Sequence, residues 1–294
     1  MSILLTGASG FIGREVLRIA KSKVKIVVRN CTQYSGTEDS VRVDTIDSST
    51  PWKSSDFHDV ECIIHLAGVA HTNSASNNSY DTINYEGTMN LADNAAKNLV
   101  KRFIFVSTAL ISTENNKLSY QSTIKLQTER SLIALSEKTG MEVVIIRSTL
   151  VYGRGARGNI GVLVKLVDKI PVLPFGLVSN KRDFISVQNL ADLLIVCTKH
   201  RSAAGRVFLA TDGKSVSIKD LTNAIAKGLG KTRIQFPIPV TFIRLMGIVF
   251  RKSHIVEQLL GDLIVDSTDT NKTLGWRQPY TMEESMLSLE EINK

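Results

Sequence analysis

TGASGFIG, residues 6–13, stands directly between the short apolar run Ser2–Leu5 and a stretch, Phe11–Ala20, with apolar residues at 12, 16, 17, 19 and 20, a spacing that gives a helix one buried face. Gly7 permits a turn forbidden to side chains, Gly10 lets backbone amides approach a pyrophosphate, and Gly13 lets the helix pack close to the strand. The first N–H groups of a helix have no partner within it, so its N-terminus favours an anion. The stretch reads as a dinucleotide-binding turn lined by Gly7, Ser9, Gly10, Phe11, Ile12 and Gly13; a purely structural strand-to-helix turn is the plainer alternative.

Outward from this turn, β-branched apolar runs recur at Ser2–Leu5, Val24–Val28, Cys62–Leu66, Phe103–Ser107, Val143–Ile146 and Val207–Leu209, and helical periodicity separates the first five. That alternation predicts a doubly wound parallel sheet of α/β class. The pattern loosens after Tyr152, so residues 1–152 read as the dinucleotide-binding domain, with a return of 187–212. Residues 153–294 read as a smaller, mainly helical substrate domain.

The 294 residues are 43% apolar, enough for a full core without metals or disulfides. Cys31, Cys62 and Cys197 are far apart with no metal-ligand spacing, as in a reduced cytoplasmic protein. The opening MSILL is too short for a signal segment and reads as a first strand. No apolar stretch reaches the roughly 18 residues of a spanning helix; Pro239–Phe250 is interrupted by Arg244 and reads as a core or inter-domain helix, although with Arg251 and Lys252 it could touch a membrane surface. A net charge of +8 suits anionic ligands, while the scattering of Lys and Arg without a basic run or module argues against nucleic acid.

The second predicted strand ends in Val28-Arg29-Asn30. An acid there would suit a ribose 2′-hydroxyl; Arg29 suits a 2′-phosphate, which favours NADP(H) over NAD(H), with Asn30 compatible with a plain ribose. The ordered series TGxxGxxG, Asp44, HLAG at 65–68, NYEGT at 84–88, FIFVSTA at 103–109, RSTLVYG at 147–153 and RDFISVQNLAD at 182–192 resembles the extended short-chain dehydrogenases/reductases that act on nucleotide sugars. Stretches at 171–184 and 263–276 are similar to the branch holding bacterial 4-ketoreductases of UDP-N-acetylquinovosamine or UDP-N-acetylfucosamine synthesis, with 4-epimerases as near relatives.

The resemblance implies an NAD(P)-dependent reductase of a nucleotide-linked 4-keto sugar in polysaccharide precursor synthesis, with a 4-epimerase as the alternative and a homodimer as the usual assembly. It implies that Asp44 meets the adenine edge, that Leu66, Ala67 and Gly68 lie along the cofactor, and that Asn84 braces the neighbouring helices. Thr108 takes the place of the catalytic hydroxyl, Ser148 borders the nicotinamide carboxamide, and Arg182 contacts the substrate diphosphate. Leu150 stands where many 4-epimerases have a substrate-binding Asn, and His71 is a further candidate for the substrate side.

The resemblance breaks at one place. The family's tyrosine acid precedes its lysine by four residues, about 400° of helix, so both share a face; from Tyr120 to Lys125 the spacing is five, about 500°. Because Lys125 and Glu129 keep the family's lysine-to-glutamate interval, Gln121 falls in the tyrosine position. Three explanations stay open: Tyr120 is recruited through an irregular helix start, the chain binds ligands but turns over slowly or not at all, or it is an engineered or incomplete version of an active parent.

Overall fold

The computed structural model describes residues 2–30, 39–69, 80–112, 118–251 and 253–289. They form two compact units: Met1–Ser148 with Leu190–Ala210 and Ser267–Arg277, and Thr149–Asn189 with Thr211–Asp266 and Gln278–Lys294. The segment Ser267–Arg277, read from sequence as part of the second domain, belongs to the first unit, where Thr270 donates to the Leu209 carbonyl at 2.9 Å.

The first unit is built on seven parallel strands: β1 (Ser2–Thr6), β2 (Lys23–Arg29), β3 (Asp39–Val43), β4 (Val60–His65), β5 (Arg102–Thr108), β6 (Glu142–Ser148) and β10 (Val207–Ala210). Their order is β10-β6-β5-β4-β1-β2-β3, a Rossmann-type sheet whose sequence order reverses at β1, between β2 on one side and β4 on the other. All five residues of β1 are buried, which is why the central strands read as continuous apolar runs rather than alternating ones. Edge strand β3 buries only Val41 and Val43 and exposes Asp39, Ser40 and Arg42, so its sequence lacks that run and the reading above passes over it.

Helices α1 (Phe11–Ile19), α2 (Thr88–Lys97) and α3 (Tyr120–Thr139) belong to this unit. Leu91, Ala92 and Ala95 of α2 and Leu132 of α3 pack with Leu4, Ile63, Phe103 and Val143 of the sheet in one core cluster. The helix read over Thr82–Lys97 is α-helical only from Thr88; Tyr80–Gly87 ahead of it is π-helical, a wider winding frequent at functional sites. Cys62 and Cys197 are buried free thiols, and Cys31 lies outside the described residues.

The second unit has its own core of Tyr152, Ile160, Leu163, Phe184, Leu221 and Ile225. It holds two short parallel pairs, β7 (Leu150–Tyr152) with β9 (Phe184–Ser186) and β8 (Val172–Leu173) with β11 (Ile234–Gln235). Its helices include α4 (Gly158–Lys169), α6 (Ile218–Gly228), α7 (Val240–Val249) and α8 (Ser253–Leu260); α5 (Val187–Lys199) precedes β10. The core-helix reading of Pro239–Phe250 is corrected here: α7 packs Val240 and Ile243 against the core of the second unit and buries only Gly247 fully, while Phe242, Leu245, Ile248 and Val249 stay exposed. Among the described residues no helix is long and apolar enough to cross a membrane.

Candidate active site

The glycine turn sits where the sheet order reverses, the position at which open α/β sheets bind ligands. Gly7 has φ +70°, and a Cβ there would lie 2.8 Å from the Leu66 carbonyl carbon at the end of the adjacent strand. At Gly13 a Cβ would lie 2.2 Å from the Gly7 oxygen, so helix and turn touch backbone to backbone. The Gly10 N–H donates to the Gly7 oxygen at 2.9 Å and closes the turn. Among the described residues no side chain caps α1 and no acid lies in its first turn, leaving its leading N–H groups to an anion. Ser9 is exposed, with Gly10, Phe11 and Ile12 partly so. These features fit the diphosphate of a dinucleotide.

A hydrogen-bonded relay fixes the turn after β4. Thr6 Oγ1 accepts from the N–H groups of Leu66 at 3.1 Å and Ala67 at 3.0 Å and lies 2.9 Å from His65 Nδ1. His65 Nε2 is 3.0 Å from Thr88 Oγ1, which donates to the Asn84 carbonyl at 2.8 Å. One proton order satisfies all of these: Thr6 donates to Nδ1, and Nε2–H donates to Thr88. His65 is therefore neutral, its pKa pushed down to about 3 by burial and, secondarily, by the Lys125 charge. The Asn84 amide in turn clasps Val69, accepting its N–H at 2.7 Å and donating to its carbonyl at 3.0 Å. Asn84 thus braces the Leu66-Ala67-Gly68 stretch; Thr6, His65 and Thr88 each lie in a motif quoted above, but sequence reasoning missed their joining into one relay because they stand on separate segments.

Arg29 is exposed at the end of β2. Next to it Asn30 donates to Asp44 at 2.6 Å, so these three polar residues share one end of the β2–β3 edge. Thr108 and Ser148 are register partners at the ends of β5 and β6. Thr108 Oγ1 accepts from the Leu110 N–H at 3.3 Å, and Ser148 donates to the Ser107 carbonyl at 3.3 Å. Ser107 Oγ is buried without a hydrogen-bond partner among the described residues.

Helix α3 starts regularly at the contested motif: Ser119 is its extended N-cap and accepts from the Ser122 N–H. Tyr120, 41% exposed, donates through its hydroxyl to Asp81 at 2.5 Å, and that carboxylate holds the phenol above its ordinary pKa. Lys125 lies instead over the sheet, its Nζ donating to the Val106 carbonyl at 2.8 Å and standing 5.7 Å from the centre of the Phe105 ring. Burial lowers its pKa to about 8, opposed by Glu129, whose carboxylate is held by Arg147 at 2.6 Å. Lys125 and Tyr120 are thus not brought together. Gln121, one turn before Lys125, donates its amide to the hydroxyl of Tyr80 at 2.6 Å, so a second phenol stands at this helix start. Tyr80 and Asp81, both on the π-helical segment, carried no motif in the sequence.

In the second unit Arg182 is buried, bridged through its backbone to Val216 and Leu263. One guanidinium nitrogen donates to the Gly261 carbonyl at 3.0 Å, while its Nε has no hydrogen-bond partner among the described residues. Burial lowers its pKa to about 10. Asp183 does not pair with it: that carboxylate accepts from Ser215 at 2.5 Å and from the Val265 N–H at 2.8 Å. His71 lies outside the described residues.

The model of the NAD dependent epimerase/dehydratase family matches residues 3–210. The chain is 36% identical to UDP-glucose 4-epimerase of Vibrio cholerae over 304 residues, 96% of this chain and 92% of that one. The fold is similar to that of UDP-N-acetylglucosamine 4-epimerase from Bacillus cereus, with TM-score 0.78, 17% identity and 99% of each chain covered. It is also similar to RMD from Pseudomonas aeruginosa complexed with NADPH, with TM-score 0.71, 17% identity and 99% and 97% covered. Motif order, strand order and these likenesses agree: the chain belongs to the NAD dependent epimerase/dehydratase family, within the extended short-chain dehydrogenases/reductases.

Proposed function

We propose that the chain interconverts C4 epimers of a nucleotide-linked hexose through a 4-keto sugar. The observation that carries this reading is the 36% identity, over nearly the whole chain, to a UDP-glucose 4-epimerase. When bound, a nicotinamide dinucleotide supplies a hydride acceptor and donor. The glycine turn and the N-terminus of α1 would hold its diphosphate, Leu66, Ala67 and Gly68 its flank, Asp44 its adenine edge, and Arg29 a 2′-phosphate if NADP(H) is used. Ser148 would border the carboxamide, and Lys125 would turn its ammonium from the Val106 carbonyl to the ribose.

Thr108 would hydrogen-bond the C4 oxygen. Arg182 fits the substrate diphosphate, since an unsatisfied, desolvated guanidinium gains most from an anion. Proton transfer falls to a phenol at the start of α3, Tyr120 as the first candidate and Tyr80 as the second. A 4-keto-sugar reductase is the second reading, favoured by Leu150 in place of the epimerase Asn and by Arg29. Gln121 in the tyrosine position favours a silent binding protein.

Chromatography of UDP-galactose incubated with the purified chain should show UDP-glucose at equilibrium. Tyr120→Phe should abolish conversion and leave cofactor affinity, read by fluorescence quenching, nearly intact. Loss in Tyr80→Phe alone moves the proton to Tyr80. Oxidation of NADPH by a 4-keto sugar nucleotide without epimerisation selects the reductase, and cofactor binding with neither reaction leaves a silent binder.

A further inference from the structure

Helix α7 presents a surface that the catalytic reading does not use. At about 100° per residue, Val240, Ile243 and Gly247 share one side. Val240 and Ile243 pack against the core of the second unit, and the bare Cα of Gly247 admits Val256 of α8, whose methyl would stand 2.8 Å from a Cβ there. The other side is apolar as well. Phe242, Leu245 and Val249, at i, i+3 and i+7, form its central stripe, Ile248 and Phe250 flank it, and all five are 51–65% exposed. Scattered exposed apolar residues are ordinary, whereas five large ones on three turns of one helix are a patch.

The charge around the patch selects its occupant. From Lys231 to Val256 the sequence contains Lys231, Arg233, Arg244, Arg251 and Lys252 and not one Asp or Glu. Lys231 is paired with Asp168 and Arg244 with Glu257, while Arg251 is exposed directly after the stripe. A second copy would set the exposed Arg251 against its own counterpart in a chain of net charge +8. The face also lacks the polar groups that punctuate protein interfaces, with Thr241 its sole hydroxyl. At 10 residues α7 is about 15 Å long, far too short to span a bilayer and suited to lying in its surface.

We infer that α7 docks the chain onto an anionic phospholipid bilayer, with Phe242, Leu245, Ile248, Val249 and Phe250 at the acyl boundary and Arg251 among the headgroups. This goes beyond the catalytic reading and is measured without any sugar nucleotide, so either can fail alone.

The full chain should float with phosphatidylglycerol-rich vesicles, bind phosphatidylcholine vesicles at least tenfold more weakly, and lose binding as salt shortens the reach of the charges. The triple variant Phe242→Ser, Leu245→Ser, Val249→Ser should lower partitioning by roughly a hundredfold, at about fivefold or more per half-exposed side chain withdrawn from water. Arg251→Glu with Lys252→Glu should lower it by more than about tenfold. Circular dichroism and retained epimerase or cofactor-binding activity would show that the variants fold. No flotation with anionic vesicles, or flotation unchanged in the triple variant, overturns the inference. A concentration-dependent dimer that the triple variant abolishes, without vesicle binding, also overturns it and assigns the patch to a second copy.

Discussion

His65→Gln tests the relay that holds the turn after β4, because only a neutral imidazole satisfies it. His65 has its pKa pushed down to about 3 by burial, against about 6.5 in the unfolded chain. A base with a lowered folded pKa leaves the unfolded state holding more protons between the two values, so stability is full above pH 6.5 and falls as pH drops toward 3. Between pH 7.5 and pH 5 this amounts to about 2 kcal/mol, since the unfolded imidazole gains its proton over that interval and the folded one does not. Both tryptophans, Trp52 and Trp276, lie in the first unit, so fluorescence in urea reports its unfolding. His65→Gln should be less stable at pH 7.5 by about 1–3 kcal/mol, from broken hydrogen bonds to Thr6 and Thr88, yet lose about 2 kcal/mol less than the wild type on acidification. Equal losses in the two proteins, or a His65 ring proton that titrates above pH 5.5 in NMR, would refute the neutral relay.

Gly13→Ala places a methyl 2.2 Å from the Gly7 oxygen, so the turn must open. Expected are a stability loss of about 1–3 kcal/mol in thermal unfolding and a weakened affinity for dinucleotide in calorimetry, and unchanged values in both would separate this turn from the cofactor. Arg29→Glu should leave the fold intact and raise the ratio of NADPH to NADH dissociation constants by at least about tenfold, the worth of one charge-assisted hydrogen bond. An unaltered ratio would remove Arg29 from cofactor choice.

The sequence carried most of the sheet because its central strands are buried on both faces and leave uninterrupted apolar runs, as in Ile63-Ile64 and Val143–Ile146. It carried the glycine turn because backbone-to-backbone contact admits no side chain, a constraint written in residue type. Edge strand β3 and the π-helical winding of Tyr80–Gly87 were not legible, since one is half polar and the other shares its composition with an ordinary helix.

Thus local pattern determined the parallel α/β architecture and the glycine turn, and the resemblance to the family exposed the five-residue spacing of Tyr120 and Lys125. Tertiary structure decided where the displaced groups go: Tyr120 to Asp81, Gln121 to Tyr80, Lys125 to the Val106 carbonyl, and His65 between two threonines far apart in sequence. It also decided that one side of α7 packs on the core and the other stays exposed, which twelve apolar-rich residues cannot announce by themselves. The physical reason is common to these cases: a buried polar group or an apolar helix face takes its meaning from what packs on it, and those partners come from distant parts of the chain.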